Sequence, residues 1–302
     1  MELLIIFSDS VLPIFIIVAI AFVYNRLMKP DILQITTLTV TVFAPVFVFN
    51  ELVKSNVTTA MLYKPVLFML LLTAALIAIA HIIAKLLNAD ENQRVALILA
   101  CSMINVGNFG LPLIHFTFGE DVASYSVLYF VAFTISLGTA AVYFCSREKN
   151  VVGILKDIGK IPIFHGLFLA LIVTEFSFEV PGVLQKSLTL MGQATIPLMI
   201  FILGLQLSAI TFKPGYLKFI TPSVIVRLAV SPLIAFFLLK WIGITGVEKS
   251  VAMIQTSTPA ALLPLMYAIR FKRSPDLLAV IIVATTVFSG VSLTILIKFL
   301  VN

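Results

Sequence analysis

This 302-residue chain has little charge. Asp, Glu, Lys and Arg together make up 11% of it, against 61% hydrophobic residues. A soluble domain carries about a quarter charged residues, so a free globular fold is excluded. Cysteine and histidine are scarcer still, at two and three residues. Cys101 and Cys145 lie in or at the end of apolar stretches and form neither a disulfide framework nor a metal-ligand spacing. With His81, His115 and His165 scattered, and no paired aspartates, the chain offers no catalytic set for an intramembrane enzyme. No cofactor and no metal are implied. Carboxylates are nearly missing from the apolar runs: Glu51, beside Asn50, is the one placed to enter hydrocarbon. That disfavours a sodium site built from acids.

What is present is apolar sequence in long pieces, with a mean hydropathy of +1.14. Runs of roughly 20 residues fit transmembrane helices, whereas a β-barrel would show alternating segments of about 10. Ten spans are expected, at 8–25, 33–54, 65–87, 94–116, 121–145, 161–179, 184–208, 216–240, 248–270 and 276–300. The longest loop, Ser146 to Lys160, is too short for a soluble domain, so function lies within the bilayer. The first run contains Pro13 and has no basic flank or small-residue cleavage site, so no removable leader is expected.

The net charge of +6 reports topology, not a nucleic-acid partner. Arg26, Lys29, Lys85, Arg94, Arg147, Lys149, Lys156, Lys160, Lys213, Lys218, Arg270, Lys272 and Arg273 fall on one side. Lys54, Lys64, Lys186, Lys240, Lys249 and Lys298 fall on the other. The basic side faces the cytoplasm, which places both termini outside it and the protein in the cytoplasmic membrane.

A shift of 152 residues aligns the two halves. It superposes Thr37-Leu38 on Thr189-Leu190, Pro45 on Pro197, Leu111-Pro112-Leu113 on Leu263-Pro264-Leu265, and Gly138 on Gly290. Residues 1–150 and 151–302 then hold five spans each. An odd number sends the second half in from the opposite face, which makes an inverted repeat with its substrate near the midplane.

Two spans carry residues that membrane helices avoid. The fourth contains Asn105, Gly107, Asn108, Gly110 and Pro112; the ninth contains Ser257, Thr258, Pro259 and Pro264. A proline inside a helix removes a donor and displaces the carbonyl four residues back, here Asn108 and Ala260. Freed backbone groups survive in a bilayer only against protein or a water-filled cavity. Ser257 and Thr258 before Pro259 have the pattern of an N-cap followed by proline at the first helical position, so a half-helix is expected to start there. Its positive end would favour an anion.

Arg227 sits mid-span, too deep to reach water. Such an arginine either bonds to carbonyls or acids as structure, or attracts substrate charge or stands in for a coupling cation. His115 and Glu51 are further coupling candidates. Gln193, Gln206, Thr36, Thr37, Thr39 and Thr41 are candidate cavity lining or interhelical glue.

Ten spans, an inverted five-span repeat, Asn-Val-Gly-Asn-Phe-Gly-Leu-Pro at 105–112 and Ser-Thr-Pro-Ala-Ala at 257–261 together resemble the auxin efflux carrier family. These are bacterial relatives of the plant PIN transporters, within the bile acid, arsenite and riboflavin transporter superfamily. The resemblance covers nearly the whole chain. It implies an all-α, NhaA-like elevator fold whose fourth and ninth helices break and cross. It further implies a carboxylate site at the crossover, with Asn105 as its hydrogen-bond donor and Pro112 and Pro264 holding the breaks open. Spans 1, 2, 6 and 7 would form a dimerising scaffold while the others move, and the direction would be export. The long central loop of many plant members is absent, which points to small carboxylates such as malonate before auxin. A sodium-coupled symporter of bile acid transporter type, a channel and a ligand sensor remain alternatives on the same fold.

Overall fold

The computed structural model describes residues 2–145, 161–210 and 216–301, and those residues are helical almost throughout. In chain order they form α1 (Glu2–Met28), α2 (Ile32–Lys54), α3 (Thr59–Leu86), α4 (Glu91–Ser102), α5 (Leu111–Phe118), α6 (Ala123–Cys145) and α7 (Pro162–Glu175). Then follow α8 (Gly182–Ser208), α9 (Leu217–Ile242), α10 (Gly246–Thr256), α11 (Leu263–Arg270) and α12 (Pro275–Val301). Seven of the helices, α1, α2, α3, α6, α8, α9 and α12, are long and apolar enough to cross a bilayer. The 14-residue α7 is shorter than a full crossing. Two expected spans, 94–116 and 248–270, are each divided into a pair of short helices. The basic residues Arg147, Lys149, Lys156, Lys160 and Lys213 lie outside the described residues.

Prolines shape the long helices in a regular way. Four π-type turns, Phe7–Val11, Thr39–Phe43, Val106–Gly110 and Val226–Val230, are each followed after one residue by a proline: Pro13, Pro45, Pro112 and Pro232. The ring displaces the carbonyl four residues back, and that carbonyl falls inside the π turn in every case. A helix widened by one residue relieves the clash without breaking. A fifth π turn, Leu137–Ala141, carries Gly138 instead.

The helices pack in two groups. In one, α8 runs along α1 and α2, and α7 along α2. In the other, α3 packs on α4 and α6, and α9 on α3 and α12. Small residues bring the first group to close contact: a Cβ on Gly204 would lie 2.4 Å from the Val18 carbonyl oxygen, and one on Gly166 would lie 2.3 Å from that of Pro45. Lipid offers helices no hydrophobic drive to associate, so this backbone proximity is a main source of their affinity. Gly204→Ala is therefore expected to destabilise the protein by about 1–3 kcal/mol, read as a lowered melting temperature in detergent. Asn50 adds a polar tie, its Oδ1 accepting from Gln185 Nε2 at 2.7 Å and Thr189 Oγ1 at 3.1 Å.

Candidate functional site

The two interrupted spans meet each other. Helix α4 begins with a capping box, Asp90 Oδ1 accepting from the Gln93 N–H at 2.9 Å while Gln93 Oε1 accepts from the Asp90 N–H at 3.1 Å. It ends at Ser102, and Met103 turns to an extended conformation. Opposite it, α10 ends at Thr256. The extended pieces then pair antiparallel around Ile104 and Ala260: the Asn105 N–H donates to the Pro259 carbonyl and the Ala261 N–H to the Met103 carbonyl, both at 2.9 Å. The Ala260 N–H donates to Thr285 Oγ1 of α12 at 3.2 Å. Each break thus satisfies the groups freed by the other, which is the condition for irregular backbone inside a membrane protein.

Three expectations are corrected here. Ser257 and Thr258 cap no helix start. They close the last turn of α10, Ser257 Oγ donating to the Met253 carbonyl at 2.6 Å and Thr258 Oγ1 to that of Gln255 at 2.7 Å. Hydroxyls bond backward to carbonyls as readily as forward to amides, and Pro259 pushes the residue before it out of the helical region. The second half-helix begins instead at Leu263, and Pro264 sits in its first turn, where no intrahelical bond is lost. Ala260, whose carbonyl Pro264 was expected to displace, lies in the extended pair. Pro112 likewise occupies the first turn of α5, and the interruption itself lies earlier, at Met103–Asn105.

Arg227 is fully buried and holds the crossover from behind. Its Nη1 donates to the Cys101 carbonyl at 2.8 Å, and its Nη2 donates to the Thr256 carbonyl and to Ser231 Oγ. Those carbonyls end α4 and α10. One guanidinium therefore bridges the negative ends of two helix dipoles, the carbonyl-bonded arrangement among those open to it. Gln255 fixes the same region laterally, with Nε2 donating to Ser126 Oγ at 2.7 Å and to the Ser126 carbonyl at 3.0 Å.

A cavity of about 320 Å³ lies between the two helix groups, on the side of the crossover toward the α1–α2 connection. From the crossover it is lined by Asn105, Gly107, Asn108 and the start of α11; from the other group, by Thr36, Thr39 and Gln206. Asn105 is 4% exposed, and its Nδ2 has no hydrogen-bond partner. The other predicted residues stand behind this lining. Gly110 donates its N–H to the Asn105 carbonyl at 2.9 Å, and a Cβ there would press on Gln255 at 3.4 Å. Pro112, Ser257, Thr258, Pro259 and Pro264 shape the backbone without facing the cavity.

Glu51 and His115 do not join this site. They line a second cavity of about 340 Å³ beyond the crossover, with Gln193 and Ser126. Asn50 Nδ2 donates to Glu51 Oε1 at 3.3 Å, and the His115 ring stands edge-on to Phe116. Thr37 and Thr41 line neither of these cavities. Sequence reasoning missed Gln255, Ser126 and Thr285; the one signal for Gln255 was an amide next to the second interruption.

A family model described as membrane transport protein matches residues 6–150 and 150–297. The chain belongs to this family, that of the auxin efflux carriers. Among its relatives, an uncharacterized transporter of Methanocaldococcus jannaschii is 32% identical over 220 residues, 70% of each chain. An uncharacterized transporter of Methanothermobacter thermautotrophicus is 24% identical over 95% of this chain and 96% of its own. A probable auxin efflux carrier component 1c of Oryza sativa subsp. japonica is 25% identical over 122 residues, 39% of this chain and 20% of the rice protein. As a member of the membrane transport protein family with several apolar helices, the protein is a multi-pass membrane transporter.

Proposed function

We propose that the protein is a secondary transporter of a small organic anion, bound as its carboxylate at the crossover and exported across the cytoplasmic membrane. The observation that carries this reading is Asn105: a buried amide donor without a partner, in a cavity walled by the starts of two half-helices. An unmade hydrogen bond in so dry a place is costly, and a carboxylate would make it. The π turn Val106–Gly110 runs directly into α5, so that half-helix begins at Val106, beside Gly107 and Asn108 in the cavity lining, as α11 begins at Leu263. The positive dipole ends of both favour the same charge.

In this reading α4–α5 and α10–α11 each count as one crossing. Together with α7 they complete ten spans in two inverted halves, 1–150 and 151–302. The register supports it, since α5 and α11 start on the same tripeptide 152 residues apart and are eight residues long. The group α1, α2, α7 and α8 serves as the fixed, dimerising scaffold, against which the other group carries the crossover across the membrane as an elevator. Arg227 replaces a coupling cation by neutralising the two carbonyl ends from within.

The test is a panel of small mono- and dicarboxylates, with their uncharged amides, assayed by thermal stabilisation of the detergent-solubilised protein and by counterflow in proteoliposomes. A ligand of the folded state raises the melting temperature as its concentration passes Kd. At least one carboxylate is expected to stabilise and to exchange saturably. Amides that act as well as the acids would refute the anion reading.

A further inference from the structure

The threonines that line the cavity are polar in one sense only. Thr36 Oγ1 donates to the Ile32 carbonyl at 2.8 Å, Thr39 Oγ1 to that of Ile35 at 2.9 Å, and Thr134 Oγ1 to that of Phe130 at 2.8 Å. All three threonines line the cavity of Asn105. With its proton committed to its own helix, each hydroxyl has only lone pairs left to offer.

That commitment fixes Gln206. Its side chain meets Thr36 Oγ1 at 3.4 Å, and because Thr36 can only accept there, the amide nitrogen is the end that points to it. Gln206 Oε1 is then left over, buried and without a partner. Asn105 on the crossover and Gln206 on the opposite wall both line the cavity, and each keeps one amide atom closed to solvent and without a partner, the donor Nδ2 and the acceptor Oε1.

We propose that Gln206, oriented by Thr36, is the specificity-determining residue of the site. It selects carboxylates that carry a second, neutral hydrogen-bond donor, a hydroxyl or an N–H, and it discriminates against dicarboxylates. The inference rests on the crossover being the anion site. A ligand with both groups satisfies both walls. A second ionised carboxylate is acceptor-only, so it would leave Gln206 Oε1 unpaired and set lone pairs against the threonine oxygens. Sites built around a hydrogen bond reject analogues that lack it far more strongly than apolar pockets reject a changed methylene.

The experiment measures Kd by thermal stabilisation of the full-length protein for ω-hydroxycarboxylates of two to six carbons, their methyl ethers and the dicarboxylates of equal length. The best hydroxy acid is expected to bind at least about tenfold tighter than its ether and its dicarboxylate counterpart. In Gln206→Leu that preference should fall below about threefold. Thr36→Val, a near-isosteric change that frees the Gln206 amide to turn over, should weaken the preference in the same direction and serves if Gln206→Leu folds poorly. A wild type that prefers ethers or dicarboxylates, or variants that keep the full preference, would overturn the assignment while carboxylate binding itself stands. Failure of every carboxylate to bind would instead overturn the anion site, and this inference with it.

Discussion

Arg227→Leu is expected to lower the melting temperature of the purified protein by about 10 °C or to abolish its folded peak in size-exclusion chromatography. The guanidinium is fully buried, and it is what satisfies the Cys101 and Thr256 carbonyls at the ends of α4 and α10. Leucine would leave the Cys101 carbonyl without its donor in the interior, and the Thr256 carbonyl with only Ser231 Oγ, at 3.1 Å. A buried acceptor left without its donor costs about 1–3 kcal/mol, and the space vacated by the longer side chain adds to that. The two helix ends would in addition lose the cation that offsets their dipoles. Arg227→Lys separates the two contributions. It keeps the charge but not the planar fork that reaches two carbonyls at once, so it should recover part of the stability and less of the transport. A leucine variant that melts like the wild type would remove Arg227 from the framework of the crossover.

The same residue shows where sequence stops being informative. A lone arginine in Val226-Arg227-Leu228 is conspicuous by composition, but its partners are backbone carbonyls, and no side-chain pattern encodes those. The two interruptions were legible because Asn, Gly and Pro are poor helix formers in an apolar run. What they become was not, because Asn105 pairs with Pro259 across more than 150 residues of chain. Such pairing depends on how two helices cross, which local propensity does not specify. Ser257 and Thr258 were misplaced for a related reason: a hydroxyl at a helix boundary serves the end before it or the start after it, and only the path beyond Pro259 decides between them. The prolines had the most to say. Pro13, Pro45, Pro112 and Pro232 each follow a π turn that local sterics account for. Three π turns, Thr39–Phe43, Val106–Gly110 and Leu137–Ala141, contribute lining to the cavity of Asn105. Widened turns re-aim side chains, and they recur at functional sites. Thr36 and Gln206 were visible only as polar residues in apolar helices, because which wall they face is set by how α2 and α8 pack against each other and against the crossover.

Asn105→Asp should abolish carboxylate binding, with Kd weakened by at least about a hundredfold, while the fold survives. The side chains differ by one atom, and the contact that holds residue 105 in place is its backbone N–H to the Pro259 carbonyl at 2.9 Å, which the substitution leaves intact. What changes is the group presented to the cavity. The unpartnered Nδ2 donor becomes an oxygen, and a second negative charge faces the ligand where water is scarce; juxtaposed like charges of this kind cost several kcal/mol. Asn105→Ala, which removes the donor without adding charge, is expected to weaken binding by only about tenfold, the value of one hydrogen bond to a charged group. The order wild type, alanine, aspartate in affinity therefore separates lost hydrogen bonding from electrostatic repulsion. It is measured by thermal stabilisation of each variant against whichever carboxylate the wild type binds best. Equal affinity of aspartate and wild type would move the anion away from Asn105, and an aspartate variant tighter than alanine would mean that the ligand reaches this position as a cation or a donor.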